Sequence, residues 1–280
     1  MSSPAVALTD RHPPAGGPEL PAHRLVPLPA EGRVLTSARK VRWGEVSMSG
    51  HARLDALGAF MADLASDDHA LLGLGGEFPW VVLRVAFEIG QPAAFLEDVT
   101  LHTWCSALGL RWAERRVSMG GVNGASIEGA ILWVAFDVDA GTSVRVPSVY
   151  KTECGPAALG RTVTSTLQHA AAVPDPAPGT RRAVMPWAVR AIDFDPFGHV
   201  NNASAWGMVE ELLPDRPHLR GRVRHEMEYH RPVEPGHALA LVVDDHVDGA
   251  MSVWAIGADG DPSPGAVYFS TRATRLSPAE

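Results

Sequence analysis

What most constrains this chain is that it repeats. Shifted by 148 residues, the segment RWGEVSMSGHARLDALGAFMADLA, from Arg42, falls on RAIDFDPFGHVNNASAWGMVEELL, from Arg190. An arginine, a Gly-His pair (Gly50-His51 and Gly198-His199) and a late leucine coincide, and acids match at Glu45/Asp193 and Asp63/Glu211. Further on, Gln91-Pro92 with Val99 and Leu101 falls on Arg231-Pro232 with Leu239 and Leu241, now at an offset of 140. The first half therefore carries eight more residues between the two blocks, and such a difference belongs in a loop. Identity is low, but two blocks in the same order point to two copies of one unit.

The coarse pattern within each half agrees. A short strand comes first, then the Gly-His turn, then a helix. Leu54, Leu57, Phe60/Met61 and Leu64 recur at helical spacing, and Val200, Ala203, Met208/Val209 and Leu212 do so less regularly. Alternating, β-branched and aromatic runs follow: WVVLRVAFEI, VTLHTWCSA, LRWAERRVSM and ASIEGAILWVAFDV, then RVRHEMEYH, ALALVVDD, AMSVWAIG and AVYFSTRATRL. One helix with four or five antiparallel strands is an α+β unit, the helix packed on one sheet face. Each half alone leaves a sheet edge and a helix face without partners. The two should close into one body, a covalent pseudo-dimer.

Two Pro- and Ala-rich stretches frame these units. Residues 1–32 show no sustained period and read as a disordered tail. The run AAAVPDPAPGT, with Pro174, Pro176 and Pro178, reads as a stiff extended connector. The expected division is a tail over 1–32, one unit over 33–155, a linker over 156–180 and a second unit over 181–276. The chain has 24 Lys+Arg against 32 Asp+Glu, which argues against a nucleic-acid binder. No apolar run approaches the roughly 20 residues that cross a bilayer, and residues near the N-terminus lack a signal peptide's apolar stretch. The expectation is a cytoplasmic protein that binds neither membrane nor nucleic acid. Cys105 and Cys154 rule out a disulfide scaffold and read as buried free thiols. His225 and His230 lack metal-site spacing, and neither standard phosphate loop is present, so no metal or cofactor is expected.

The stretch with most chemistry in it is Asp193-Phe-Asp-Pro-Phe-Gly-His-Val-Asn-Asn202. It ends a strand, turns at Asp195-Pro196-Phe197-Gly198 and opens a helix. Backbone N–H groups at a helix start are unpaired and partly positive, and could polarise a carbonyl oxygen. Those of Val200, Asn201 and Asn202 are the candidates. A carboxylate at Asp195 could attack an acyl carbon or activate water. Asp and Asn also favour turns and helix caps whatever the function. Ser47 stands where Asp195 stands, so one turn is chemically equipped and the other plain.

At these residues the chain resembles the acyl-acyl carrier protein (acyl-ACP) thioesterases of the hotdog fold, whose signature is D-L-D-x-N-x-H-V-N-N, then Gly, Glu and Pro. Asp193, Asp195, His199, Val200, Asn201, Asn202, Gly207, Glu211 and Pro214 match it. Trp80, Thr103-Trp104, Arg115-Arg116, Trp133-Val134 and Pro147 give the first half a softer likeness. The resemblance implies tandem hotdog domains, each a long helix wrapped by a curved antiparallel sheet, and release of a fatty acid from its carrier thioester. It departs at Phe197, where the family has Asn, and at Pro232 and Val233, where it has Glu and often Cys. The Asp-Pro-x-Gly turn is also similar to that of the hydroxybenzoyl-CoA thioesterase branch, which implies that Asp195 serves as nucleophile or base, with His199 orienting the turn or carbonyl. Arg216, Arg220, Arg222 and Arg224, with Arg231, form a local basic cluster for the carrier or a CoA phosphate to dock on, or a solvated surface. Two tandem chains could pair as a homodimer. The alternatives are an acyl-CoA thioesterase, a hotdog dehydratase or hydratase, and a non-catalytic acyl- or carrier-binding protein.

Overall fold

The computed structural model describes residues 7–8, 26–74, 80–137, 140–163 and 165–276. The first half holds β1 (Ala7–Leu8), β2 (Leu35–Lys40), α1 (Leu54–Leu71), β3 (Trp80–Gln91), β4 (Asp98–Leu108), β5 (Trp112–Gly121), β6 (Ser126–Asp137) and β7 (Thr142–Ser143). After α2 (Ser148–Cys154) and the connector come β8 (Arg181–Trp187), α3 (Gly207–Glu210), β9 (Val223–Tyr229), β10 (Leu239–Asp245), β11 (Met251–Gly257) and β12 (Val267–Arg275).

The strands form one antiparallel sheet in the order β1-β2-β4-β5-β6-β3-β9-β12-β11-β10-β8, with β7 beside β6. Read outward from the β3–β9 junction, the order β3-β6-β5-β4-β2 is repeated by β9-β12-β11-β10-β8. Ala86 pairs with Glu226 at that junction. Their numbers differ by 140, the repeat offset there, so this pair lies on the pseudo-twofold axis. The duplication thus solves an edge problem: each half covers the other's open edge.

Strand alternation separates two faces. Val85, Phe87 and Ile89 of β3 and Val223, Met227 and Tyr229 of β9 join Leu57, Phe60, Met61 and Leu64 of α1 and Trp206, Met208 and Val209 in one core spanning both halves. Burying such side chains contributes about 1.5–3 kcal/mol each. The helices cross at Gly58, where a Cβ would lie 3.2 Å from both Ala203 Cα and Ala203 Cβ. Gly58→Val is expected to force them apart and to cost about 1–3 kcal/mol, read as a lower midpoint in thermal or denaturant melts.

One expectation needs revision. The second helix is not long. Asn201 Oδ1 accepts the N–H groups of Ala203 (2.8 Å) and Ser204 (3.4 Å), fixing its start. Pro214 cannot donate to the last turn, which bars continuation. Between these limits the chain winds as a 3₁₀ turn, Ser204–Trp206, and then the four-residue α3. The linker is tied to the first half and to the sheet: Arg161 Nε donates to Ser106 O (2.8 Å), and Gln168 and His169 are bonded to Glu228 on the outer sheet face. Most of the expected tail lies outside the described residues, but at its inner end buried Arg116 Nη1 donates to Val26 O (2.9 Å). Both cysteines are buried, as expected.

Candidate active site

The two Gly-His turns have the same backbone. Ser47 N–H donates to His51 O (2.9 Å) and Asp195 N–H to His199 O (2.8 Å). Gly50 N–H donates to Ser47 O (2.9 Å) and Gly198 N–H to Asp195 O (3.0 Å). Both glycines are left-handed, at φ +76° and +81°, a conformation that side chains resist. Ala52 N–H donates to Ala93 O and Val200 N–H to Val233 O, each at 2.9 Å, so the repeat offset of 140 ties the same two blocks together in space.

The side chains differ. Asp195 Oδ1 accepts from the N–H of Phe197 (2.9 Å) and of His199 (3.4 Å). Ser47 Oγ does a similar turn-closing job, accepting from Ser49 N–H (3.3 Å). A neutral hydroxyl therefore suffices for the turn, and the charge of Asp195 is surplus to architecture. Its Oδ2 has no hydrogen bond among the described residues.

Each turn delivers the chain to a helix start, and these also differ. Leu54 N–H, first in α1, is capped by Glu210 Oε2 (3.2 Å) from the other half. Arg220 Nη1 holds Glu210 Oε1 (3.0 Å) and reaches Ser47 Oγ (3.3 Å). What is left of the cavity there is about 30 Å³. At the second start, Val200 N–H is taken by Val233 O and Asn201 N–H by Asp193 O (2.7 Å). The N–H of Asn202, the counterpart of Leu54, has no hydrogen bond among the described residues. Of the three expected donors, Asn202 is the one left open. A cleft of about 300 Å³ is lined by its chain neighbours Asn201, Ala203 and Ser204 on one side and Phe60, Asp63 and Arg53 on the other; Asn202, Asp195 and His199 are not among the lining residues. Partial burial pushes the Asp63 carboxyl up, against the pull of Arg39.

Two acids near this site escaped the sequence reading. Asp63 was visible only as a repeated acid; its place across the cleft follows from helix packing. Glu234 lies just beyond the departures at Pro232 and Val233, and its Oε1 is 3.8 Å from His199 Nε2. It brings a carboxylate to the histidine where the family's own Glu is replaced. Phe197, in the family's Asn position, is 75% exposed and presents its ring to solvent.

The expected arginine cluster is dispersed. Arg216 forms a two-pronged pair with Asp245 (2.6 and 2.9 Å) and Arg220 is held by Glu210 on the helix side. Arg224 binds Glu88 (2.8 Å) and Glu226 (2.7 Å) on the outer face, and Arg222 is exposed. Proximity along the chain did not make a patch: Asp245, Glu210 and Glu88, which hold Arg216, Arg220 and Arg224, come from β10, α3 and β3. Among the described residues, no helix is long and apolar enough to cross a membrane.

Comparison with known proteins fits this geometry. Residues 32–153 match the acyl-ACP thioesterase N-terminal domain, and residues 178–260 match the acyl-ACP thioesterase C-terminal domain. A putative oleoyl thioesterase from Lactobacillus plantarum superposes with a TM-score of 0.69 at 19% identity, over 90% of this chain and 100% of that one. The 12:0-ACP thioesterase from Umbellularia californica gives 0.68 at 16% identity, over 88% and 98%. An uncharacterised protein of Mycobacterium tuberculosis strain H37Rv is 29% identical over 238 residues, 84% of this chain and 92% of that protein. The architecture is a tandem hotdog fold, and the protein is a thioesterase. The chain belongs to the acyl-ACP thioesterase family.

Proposed function

We propose that this enzyme hydrolyses an acyl-ACP to a free fatty acid and the carrier thiol, at one site in its C-terminal half. The observation that carries this reading is the asymmetry of the two helix starts. One is sealed by Glu210; at the other, Asn202 N–H has no hydrogen bond among the described residues, and its chain neighbours Asn201 and Ala203 line a cleft.

The thioester carbonyl oxygen accepts from Asn202 N–H, which strengthens as negative charge develops on that oxygen. Asp195, through its unbonded Oδ2, takes a proton from water as the oxygen adds to the acyl carbon, or adds to that carbon itself for water to cleave the anhydride. Either route consumes one water, breaks the C–S bond and leaves acid and thiol. His199, beside Glu234, delivers a proton to the departing sulfur. Glu234→Gln is expected to lower kcat about tenfold with little change in KM, in steady-state thiol-release assays. A hotdog dehydratase needs a histidine with an acid across the interface between units; the acid paired with the His199 ring, Glu234, comes from its own half.

The test is thiol release from matched acyl-ACP and acyl-CoA substrates of several chain lengths. A kcat/KM at least about tenfold higher on the carrier protein supports the reading. Preference for CoA overturns the carrier assignment, and release from neither overturns hydrolysis.

A further inference from the structure

The outer sheet face gathers charge at the pseudo-twofold axis. There Arg84, Ala86 and Glu88 of β3 stand in register with Glu228, Glu226 and Arg224 of β9. The linker crosses over them. Its Gln168 and His169 N–H groups donate to Glu228 Oε1 (2.6 Å) and Oε2 (2.8 Å). The His169 ring turns inward, Nδ1 meeting Ser270 Oγ at 3.0 Å. One donor atom each from His169, Glu226 and Glu228 lies within 4.8 Å of the others.

Glu226 is 8% exposed. Its Oε2 accepts from Arg224 Nε (3.0 Å) and Nη2 (2.7 Å). Its Oε1 is buried and has no hydrogen bond among the described residues; Arg84 Nε stands off at 3.7 Å. Leaving a buried carboxylate oxygen without a donor is costly, so its position calls for a ligand. A hollow of about 490 Å³ reaches His169, Glu226 and Ser270 and gives a path in.

We propose that His169, Glu226 and Glu228 bind one divalent transition-metal ion, which fastens the linker to the sheet where the two halves join. One imidazole nitrogen with two carboxylates suits Zn²⁺, Mn²⁺ or Co²⁺, whereas Mg²⁺ and Ca²⁺ take oxygen donors. Ser270 Oγ also lies 2.7 Å from His230 Nε2; donating to that nitrogen, it accepts from His169 Nδ1–H, which fixes the ring and leaves Nε2 for the ion. Each Glu228 oxygen retains a lone pair beyond the one its backbone donor uses. The site is on the face away from the helices and the Asp195 turn, so its role is structural. Spacing along the chain conceals it: His225 and His230 suggested no ligand set, and the histidine that completes one comes from the linker.

The test uses the full chain with any affinity tag removed, dialysed against a chelator and titrated with Zn²⁺ and Co²⁺. Calorimetry should give about one ion per chain, Co²⁺ a visible spectrum of nitrogen and oxygen ligation, and melts a higher midpoint. Glu226→Gln, nearly isosteric, and His169→Ala should each weaken binding at least about tenfold and abolish the rise in midpoint. Activity of the metal-free protein should be the same in wild type and Glu226→Gln. Should either variant fail to fold, anomalous scattering from wild-type crystals soaked in Zn²⁺ locates the ion. A peak among these three residues supports the site. No stoichiometric binding, binding that survives both substitutions, or a peak elsewhere overturns it.

Discussion

Asp195→Asn should lower kcat on an acyl-ACP substrate by about 10²–10⁴-fold while leaving the melting midpoint nearly unchanged. The two outcomes separate because one side chain has two jobs. Oδ1 closes the turn by accepting from Phe197 and His199 N–H, and an asparagine Oδ1 accepts the same bonds. The negative charge and the unbonded second oxygen are what the substitution removes. Ser47→Ala is the matched control. It deletes the neutral turn-closing hydroxyl of the other half, costs about 1 kcal/mol for a lost hydrogen bond, and should leave kcat intact. If Asp195 were merely a turn residue, Asp195→Asn would keep both turn bonds and neither substitution would act on turnover.

The largest effect on stability is expected at the far end of α1. Asp68, 1% exposed, is paired with Arg115, itself 1% exposed, and with Arg33 at 2.8 Å. Burial alone would push the Asp68 carboxyl up, but the two guanidiniums outweigh it and hold it below the ordinary carboxylate range. Asp68→Asn keeps the shape and strands the Arg115 charge in a dry site. Breaking a buried pair from one side costs about 3–5 kcal/mol, which lowers the midpoint by roughly 10 °C in a chain of this size. The pH dependence has a definite sign. A depressed folded-state pKa gives stability that is present above the ordinary carboxylate pKa and lost as pH falls through the folded value. The gap between wild type and Asp68→Asn should therefore be full at neutral pH and shrink below about pH 4 in urea melts.

Much of this architecture was legible in the sequence because duplication gives every local signal a second reading. Gly50-His51 and Gly198-His199 marked both turns, and the fall in offset from 148 to 140 anticipated the matching bonds from Ala52 to Ala93 and from Val200 to Val233. Strand runs could be placed because alternation is a property of neighbouring residues. Partners across the fold were not legible. Glu234 faces His199 through a loop 35 positions on, and nothing in either segment encodes that approach. The arginine cluster looked coherent along the chain, yet its partners Asp245, Glu210 and Glu88 come from three separate elements. The short second helix is an intermediate case. Asn201 and Pro214 were both in view, but the family likeness favoured a long helix over the stop they impose.

The most direct test of the central claim is to follow both products from one purified acyl-ACP. Free acid is measured by mass spectrometry and carrier thiol by a thiol reagent, with wild type and Asp195→Asn side by side. Equal amounts of acid and thiol from wild type, with neither from the variant, is the expected result. An acyl group that stays on the carrier, whether dehydrated or tightly bound and unchanged, would contradict it, as would full release by Asp195→Asn.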